Sequence, residues 1–183
     1  MPERDQAVGL AANFTPSPEE AKSRELILAL LENTRAPFSR DQFHPGHITC
    51  TALVLHPDGR RVLLVHHRRL RRWLLPGGHV EEHDSTLADA AQREAVEETA
   101  VRIATDATPL LVGMDVHGIP ANKAEPFHLH HDLIFILKAE GDEIISTEEA
   151  PGVAWCGTKE VDQYSLPDSI VRAFRRAALR LTG

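Results

Sequence analysis

Apolar residues recur along this chain in two rhythms. Between Pro18 and Asn33, Leu26, Ile27, Leu30 and Leu31 return at the spacing of one helical face, which predicts an amphipathic helix whose apolar side needs a partner. Ser17 before Pro18, followed by Glu19 and Glu20, supplies N-cap chemistry and an acidic first turn. Residues 1–16 show no such period and read as irregular. Further on, "HITCTALVLH", "PDGR" and "RVLLVHH" read as strand, turn, strand, with Pro57, Asp58 and Gly59 providing the turn. A second helix is expected over about Thr86–Thr99 and a last one over about Pro167–Leu181. Strands are expected over Pro109–His117, His128–Ala139 and Gly152–Cys156. Helices mixed with largely hairpin-connected strands predict a layered α/β (α+β) domain, not a regular βαβ array. A chain of 183 residues without internal repeats suits one core. The expected organisation is an extension over 1–45, with one helix packed on the domain, and the domain itself over 46–183.

Composition narrows the function classes. The two cysteines, Cys50 and Cys156, are too few for a disulfide framework and lack metal-ligand spacing, which points to a reducing, cytoplasmic setting. The N-terminal stretch "MPERDQAVGLAANF" mixes both charges without a signal-peptide pattern, and no apolar run reaches the roughly eighteen residues of a membrane span. Neither export nor a membrane partner is expected. A net charge of −7 argues against general affinity for nucleic acid, though a small anion could be met by a local basic cluster or by metal ions. "HHRRLRRW" is such a cluster. It reads either as a solvated hairpin loop or as an anion-facing rim, with Arg69 and Arg71 the substrate-binding candidates and Trp73 a candidate pocket wall.

"REAVEETA", Arg93 to Ala100, crowds three carboxylates into one helical segment. Glu94, Glu97 and Glu98 fall within an arc of roughly 100° beside a strip of Ala88, Ala91, Ala95 and Thr99. Like charges at i,i+4, as in Glu94 and Glu98, cost a few tenths of a kcal/mol. A hard cation such as Mg²⁺ would offset that repulsion; otherwise the patch is a solvated acidic face. Upstream, the paired glycines of "PGGHVEEHD" allow the close backbone approach that a phosphate or metal site needs.

Taken together, "GGHVEEHDSTLADAAQREAVEETAV", Gly78 to Val101 with one preceding glycine, resembles the signature of the Nudix hydrolase family. Arg93, Glu94, Ala95, Glu97, Glu98 and Val101 fit its second half, and "WLLPGG" upstream is similar to the family as well. Asp84 stands where that signature has Glu, eight residues separate it from Arg93 in place of seven, and His83 and Ala100 replace glycines. "PGHIT", "PGGHVE", "DVHGIP" and "EPFHLHHD" further resemble a bacterial subgroup of that family with a one-residue-longer Nudix box and extra histidines. The resemblance implies the Nudix fold, a mixed sheet between helices. It also implies a diphosphohydrolase that directs water onto a phosphorus of a nucleoside diphosphate linked to another group. Implied too are Glu94, Glu97 and Glu98, with the Gly78 carbonyl, as ligands of Mg²⁺ (Mn²⁺ being the alternative), and Arg93 as the residue orienting them. Glu94 or Glu98 is the first choice for general base, with Glu125, Asp132, Glu148 and Glu149 as alternatives on other segments. A small nucleotide-type molecule is the implied partner, and a homodimer is left open.

A second constellation lies outside the signature. On one strand His128, His130 and Asp132 share a face, and so could converge on a metal or phosphate or else cap a half-exposed sheet; Asp115 and His117 could do likewise nearby. Trp155 reads as core. Two other functions stay open: an isomerase similar to isopentenyl diphosphate isomerases, which place Cys where Gly77 stands here, and a nucleotide-sensing module without catalysis.

Overall fold

The computed structural model describes residues 1–157 and 159–181. Its order is α1 (Arg4–Asn13), α2 (Ala21–Asn33), β1 (Gly46–Leu55), β2 (Arg61–His67), β3 (Arg72–Leu74), β4 (Gly77–His79), α3 (Leu87–Thr99), β5 (Leu110–Ile119), β6 (His128–Lys138), β7 (Gly152–Gly157), α4 (Val161–Tyr164) and α5 (Asp168–Leu181). Among the described residues no helix is long and apolar enough to cross a membrane.

The mixed sheet has the central order β3-β2-β1-β6-β5, with β4 paired to β1 and β7 paired to β2. β1 and β6 run parallel from Gly46↔Leu129 to Leu55↔Lys138. On its other side β1 meets β2 at Leu55↔Val62 and β4 at Thr49↔His79 through Thr51↔Gly77. One edge of β1 is thus shared between two strands, and the sheet curls open around a wedge.

Alternation along the strands divides the core. Ile48, Cys50, Ala52 and Val54 of β1, with Leu133, Phe135 and Leu137 of β6, face α1, α2 and α3. On the opposite face Leu53, Leu55 and Ile134 meet Ile170, Ala173, Phe174 and Ala177 of α5. Continuing along that second face, β1 presents Thr51, Thr49 and His47, and β6 presents Asp132 and His130, because side chains repeat every second residue. The face is apolar under α5 and polar beyond it. That polar half is the floor of a cleft.

Two features at the N-terminus differ from the sequence reading. Residues 1–16 hold a helix, α1, whose buried residues are Ala7 and Ala11; alanines give too little hydrophobic contrast to show a period. The extension therefore carries two helices in place of one. α2 starts at Ala21, after a turn, with Glu20 at its N-cap position and no side-chain cap, so Ser17 does not cap it. Glu20, buried, takes a bidentate ion pair from Arg176 of α5, at 2.9 and 2.5 Å. Arg176 also donates to the Val112 carbonyl and lies over the Phe14 ring.

Candidate active site

α3 begins with a reciprocal cap: Thr86 accepts from the Asp89 N–H at 3.1 Å and Asp89 accepts from the Thr86 N–H at 2.9 Å, satisfying two of the donors a helix start leaves orphaned. Leu87, Ala90, Ala91 and Ala95 bury one side of the helix against the sheet, which aims Glu94 and Glu98 past β4 into the cleft. β4 fits there only because it is glycine. A Cβ on Gly77 would lie 2.7 Å from the Cys50 carbonyl oxygen and Thr51 Oγ1, and one on Gly78 would lie 2.6–2.8 Å from the Glu94 carboxylate.

Arg93 ties the acids together. Its guanidinium donates to both Asp84 oxygens at 3.1 Å, to the His79 carbonyl at 2.8 Å, and to Glu94 and Glu97 at 3.0 Å each. Asp84, 3% exposed, also accepts the Glu81 N–H at 2.8 Å. The shorter side chain reaches Arg93 in spite of the longer loop. Glu98 is buried at 6% exposure and accepts the Gly77 N–H at 3.1 Å. Burial above all, then the charges of Glu94, Glu149 and Glu97, pushes its carboxyl up to about 7, against the pull of the Gly77 N–H. Burial likewise raises Glu94 despite Arg93. Glu97 is the solvent-facing member, its side chain 59% exposed.

The cleft encloses about 1330 Å³ and is lined by Gly77, Gly78, Glu94, Glu97 and Glu98 on one side and by Arg68, Arg69 and Arg72 on another. Arg69 thus stands where the sequence placed it. Arg71 and Trp73 do not line the cleft. Arg71 occupies the β2–β3 turn at φ 51°. Arg72 and Leu74 face the cleft, so alternation turns Trp73 to the other side of β3, edge-on to Tyr164 at 5.1 Å and His66 at 5.3 Å.

Glu125, Asp132, Glu148 and Glu149 all reach the cleft, but their surroundings differ. Asp132 accepts hydrogen bonds from the Thr49 and Thr51 hydroxyls at 3.0 and 2.9 Å, and burial raises its pKa. Glu125 accepts from Asn122 at 3.2 Å. The charge of Glu149 helps to raise both Glu94 and Glu98.

The histidine strand is rearranged relative to the sequence reading. Asp132 goes to the threonines, and His128 Nδ1 meets the Pro126 carbonyl at 2.9 Å. His130 groups instead with His47 and His79, one ligand atom of each lying within 4.8 Å of the others. His117 is held by Asp115 at 3.1 Å, which raises its pKa. His47 and His79 carried no signal by sequence spacing; only the strand register brings them to His130.

A curled mixed sheet between helices carries a capped acidic helix packed directly on a glycine strand, the two together forming one side of a cleft. The NUDIX domain family matches residues 45–176, and the chain belongs to the Nudix family as a diphosphohydrolase. It is 32% identical over 137 residues, 68% of this chain and 79% of the other, to a probable DHNTP pyrophosphohydrolase of Lactococcus lactis subsp. cremoris. Among solved structures, a NUDIX-family hydrolase from Clostridium perfringens superposes with a TM-score of 0.55 at 18% identity, covering 73% of this chain and 97% of that one. The NUDIX domain of Shewanella oneidensis NrtR, complexed with ADP ribose, gives 0.55 at 22%, covering 82% and 96%. At these identities the two structures speak for the fold.

Proposed function

We propose that the protein hydrolyses a diphosphate linkage in a nucleoside diphosphate joined to another group, with Mg²⁺ as cofactor. The observation that carries this reading is the Arg93-centred acid patch packed on the glycine strand at the side of a cleft of nucleotide size. The donors are hard oxygens, and the space at Gly78 that a Cβ would fill lies against the Glu94 carboxylate, which fits a small divalent cation. Glu94, Glu97, Glu98 and the Gly78 carbonyl would hold it, and Mn²⁺ is compatible with the same donors. Bound Mg²⁺ would supply charge neutralisation for the diphosphate and a lowered pKa for water.

The chain's own groups do the rest. Arg93 fixes the carboxylate rotamers, so no reorganisation is needed as charge develops on phosphorus. Arg68, Arg69 and Arg72 offset the repulsion between an acidic protein and an anionic substrate. Glu149 is our choice of proton acceptor for the attacking water, since it lines the cleft, its charge acts on both Glu94 and Glu98, and it is not tied into the Arg93 network. Thr49 and Thr51 keep Asp132 occupied. A cysteine in place of Gly77 would collide with the β1 backbone, which counts against the isomerase reading.

The test is incubation of pure protein and Mg²⁺ with a panel of nucleotides and nucleotide sugars, following phosphate release and product masses. Cleavage at a diphosphate, abolished by EDTA, is expected; binding of the whole panel without any product would leave a sensing module. Glu149→Gln should lower kcat by about 10²–10⁴ with the fold intact. An unchanged kcat would return the base to Glu94 or Glu98.

A further inference from the structure

Beside the acid patch, one residue past Gly78, the strand register assembles a set of nitrogens that the hydrolase chemistry does not use. His47 and His130 are partners in the parallel β1–β6 ladder, and His79 of β4 lies opposite Thr49 on the other side of β1. Their rings are mutually close, with centroids 5.0 Å apart for His47–His79, 4.9 Å for His47–His130 and 5.4 Å for His79–His130. His128 packs against two of them at 5.1 and 5.2 Å.

The decisive residue is His47, which is 1% exposed. Its Nδ1 lies 3.2 Å from the Gln42 carbonyl, where only an N–H can sit favourably. That contact fixes the tautomer and leaves Nε2 with a bare lone pair. Nε2 is buried and has no hydrogen-bond partner. A buried unsatisfied nitrogen costs about 1–3 kcal/mol, so something outside the chain is expected to satisfy it. A backbone carbonyl on the far ring nitrogen is the arrangement that orients an imidazole toward a metal.

We infer that His47, His79 and His130 form a binding site for a divalent transition-metal ion of zinc-like preference, separate from the carboxylate site of α3. One ligand atom from each lies within 4.8 Å of the others. A tetrahedral ion about 2.0–2.1 Å from each nitrogen needs them about 3.3 Å apart, so small ring rotations complete the site. Imidazole donors select Zn²⁺ and its neighbours over Mg²⁺, which takes oxygens. His79 and His130 line the cleft. With three protein ligands, the fourth coordination position is open to water or to a substrate oxygen from that side, as catalytic zinc sites are arranged.

The site is tested on full-length, chelator-stripped protein by calorimetric titration with Zn²⁺ in a large excess of Mg²⁺, and by the visible spectrum of the Co²⁺ form. We expect one Zn²⁺ per chain, retained in the Glu97→Gln/Glu98→Gln double variant, and at least about a hundredfold weaker in His79→Ala and in His130→Ala. The Co²⁺ protein should show the intense bands of a four-coordinate nitrogen site, in the unaltered chain and in the glutamate variant alike. Circular dichroism checks that the histidine variants fold; where one does not, the Co²⁺ spectrum of the unaltered chain decides. Zn²⁺ displaced by Mg²⁺, Zn²⁺ lost with the glutamates and kept without the histidines, or a weak six-coordinate Co²⁺ spectrum would each overturn the inference. Loss of hydrolysis in the glutamate variant bears on the acid patch alone, so the two sites fail separately.

Discussion

Glu98 and Ala100, two residues apart, show how differently single positions of α3 are used. Glu98 is buried with its carboxylate against the Gly77 N–H, and nothing in the fold requires a charge there. Glu98→Gln keeps the shape and removes the charge, so activity should fall by at least about a hundredfold with the melting curve little lowered; Glu97→Gln should behave alike. Steady-state kinetics of the two variants checks this, and full activity in both would remove the carboxylate site from consideration. Ala100 ends the helix at φ 54°, a conformation in which a Cβ is strained. Ala100→Gly should therefore raise stability by about 0.5–1 kcal/mol in urea unfolding, with kcat unaltered. The grouping of Glu94, Glu97 and Glu98 was legible from sequence, because helical spacing in "REAVEETA" puts the acids in one arc. His47 and His79 were not legible, since each owes its neighbours to pairing between strands distant in sequence.

The β2–β3 hairpin behaves as an element rather than as a set of arginines. Its turn takes Arg71 out of the cleft while Arg68, Arg69 and Arg72 line it, a division that charge counting along "HHRRLRRW" does not resolve. With a screening length of about 8 Å at physiological salt, only cations on that rim can attract the substrate. Replacing Arg69 and Arg72 by Ser should raise KM several-fold, more at low salt than at high, with kcat little changed. The Arg71→Ser variant serves as the contrast and should leave KM unchanged. A salt-independent KM in the double variant would make the hairpin a solvated loop. β3 and β4 escaped the sequence reading for a related reason. Each is three residues long, β4 is largely glycine, and both are strands only because β2 and β1 supply the hydrogen bonds.

At the scale of the whole molecule, buried histidines set the response to acid. Burial depresses His47, His67, His79, His130 and His131, the last to about 4, below the value of about 6.5 that an unfolded chain shows. For a depressed histidine the unfolded form binds the extra proton, so its contribution to stability is whole above about pH 6.5 and is lost as pH falls toward the folded value. Glu98, raised to about 7, acts in the opposite sense, as do Glu94 and Asp132, which burial also raises; each costs stability as pH rises above its unfolded value. Between pH 6.5 and 5 the five histidines are the larger set. Metal-free protein should therefore lose urea stability steadily between pH 6.5 and 5, and Glu98→Gln should steepen the decline; a flat profile would mean that the histidines are hydrated. The layered architecture itself was legible, because β1, β6, α3 and α5 carry strong apolar periods. α1 was not, as its contact is made by alanines.

Glu20 and Arg176 act as a clasp between segments 156 residues apart. The buried acid at the head of α2 and the guanidinium of α5 each supply what the other needs, and a carboxylate without a cation resists burial. Neither segment can therefore leave its seat without stranding the other's charge. Peeling α5 away and undocking α2 are one event, so the two edges of the molecule open and close together.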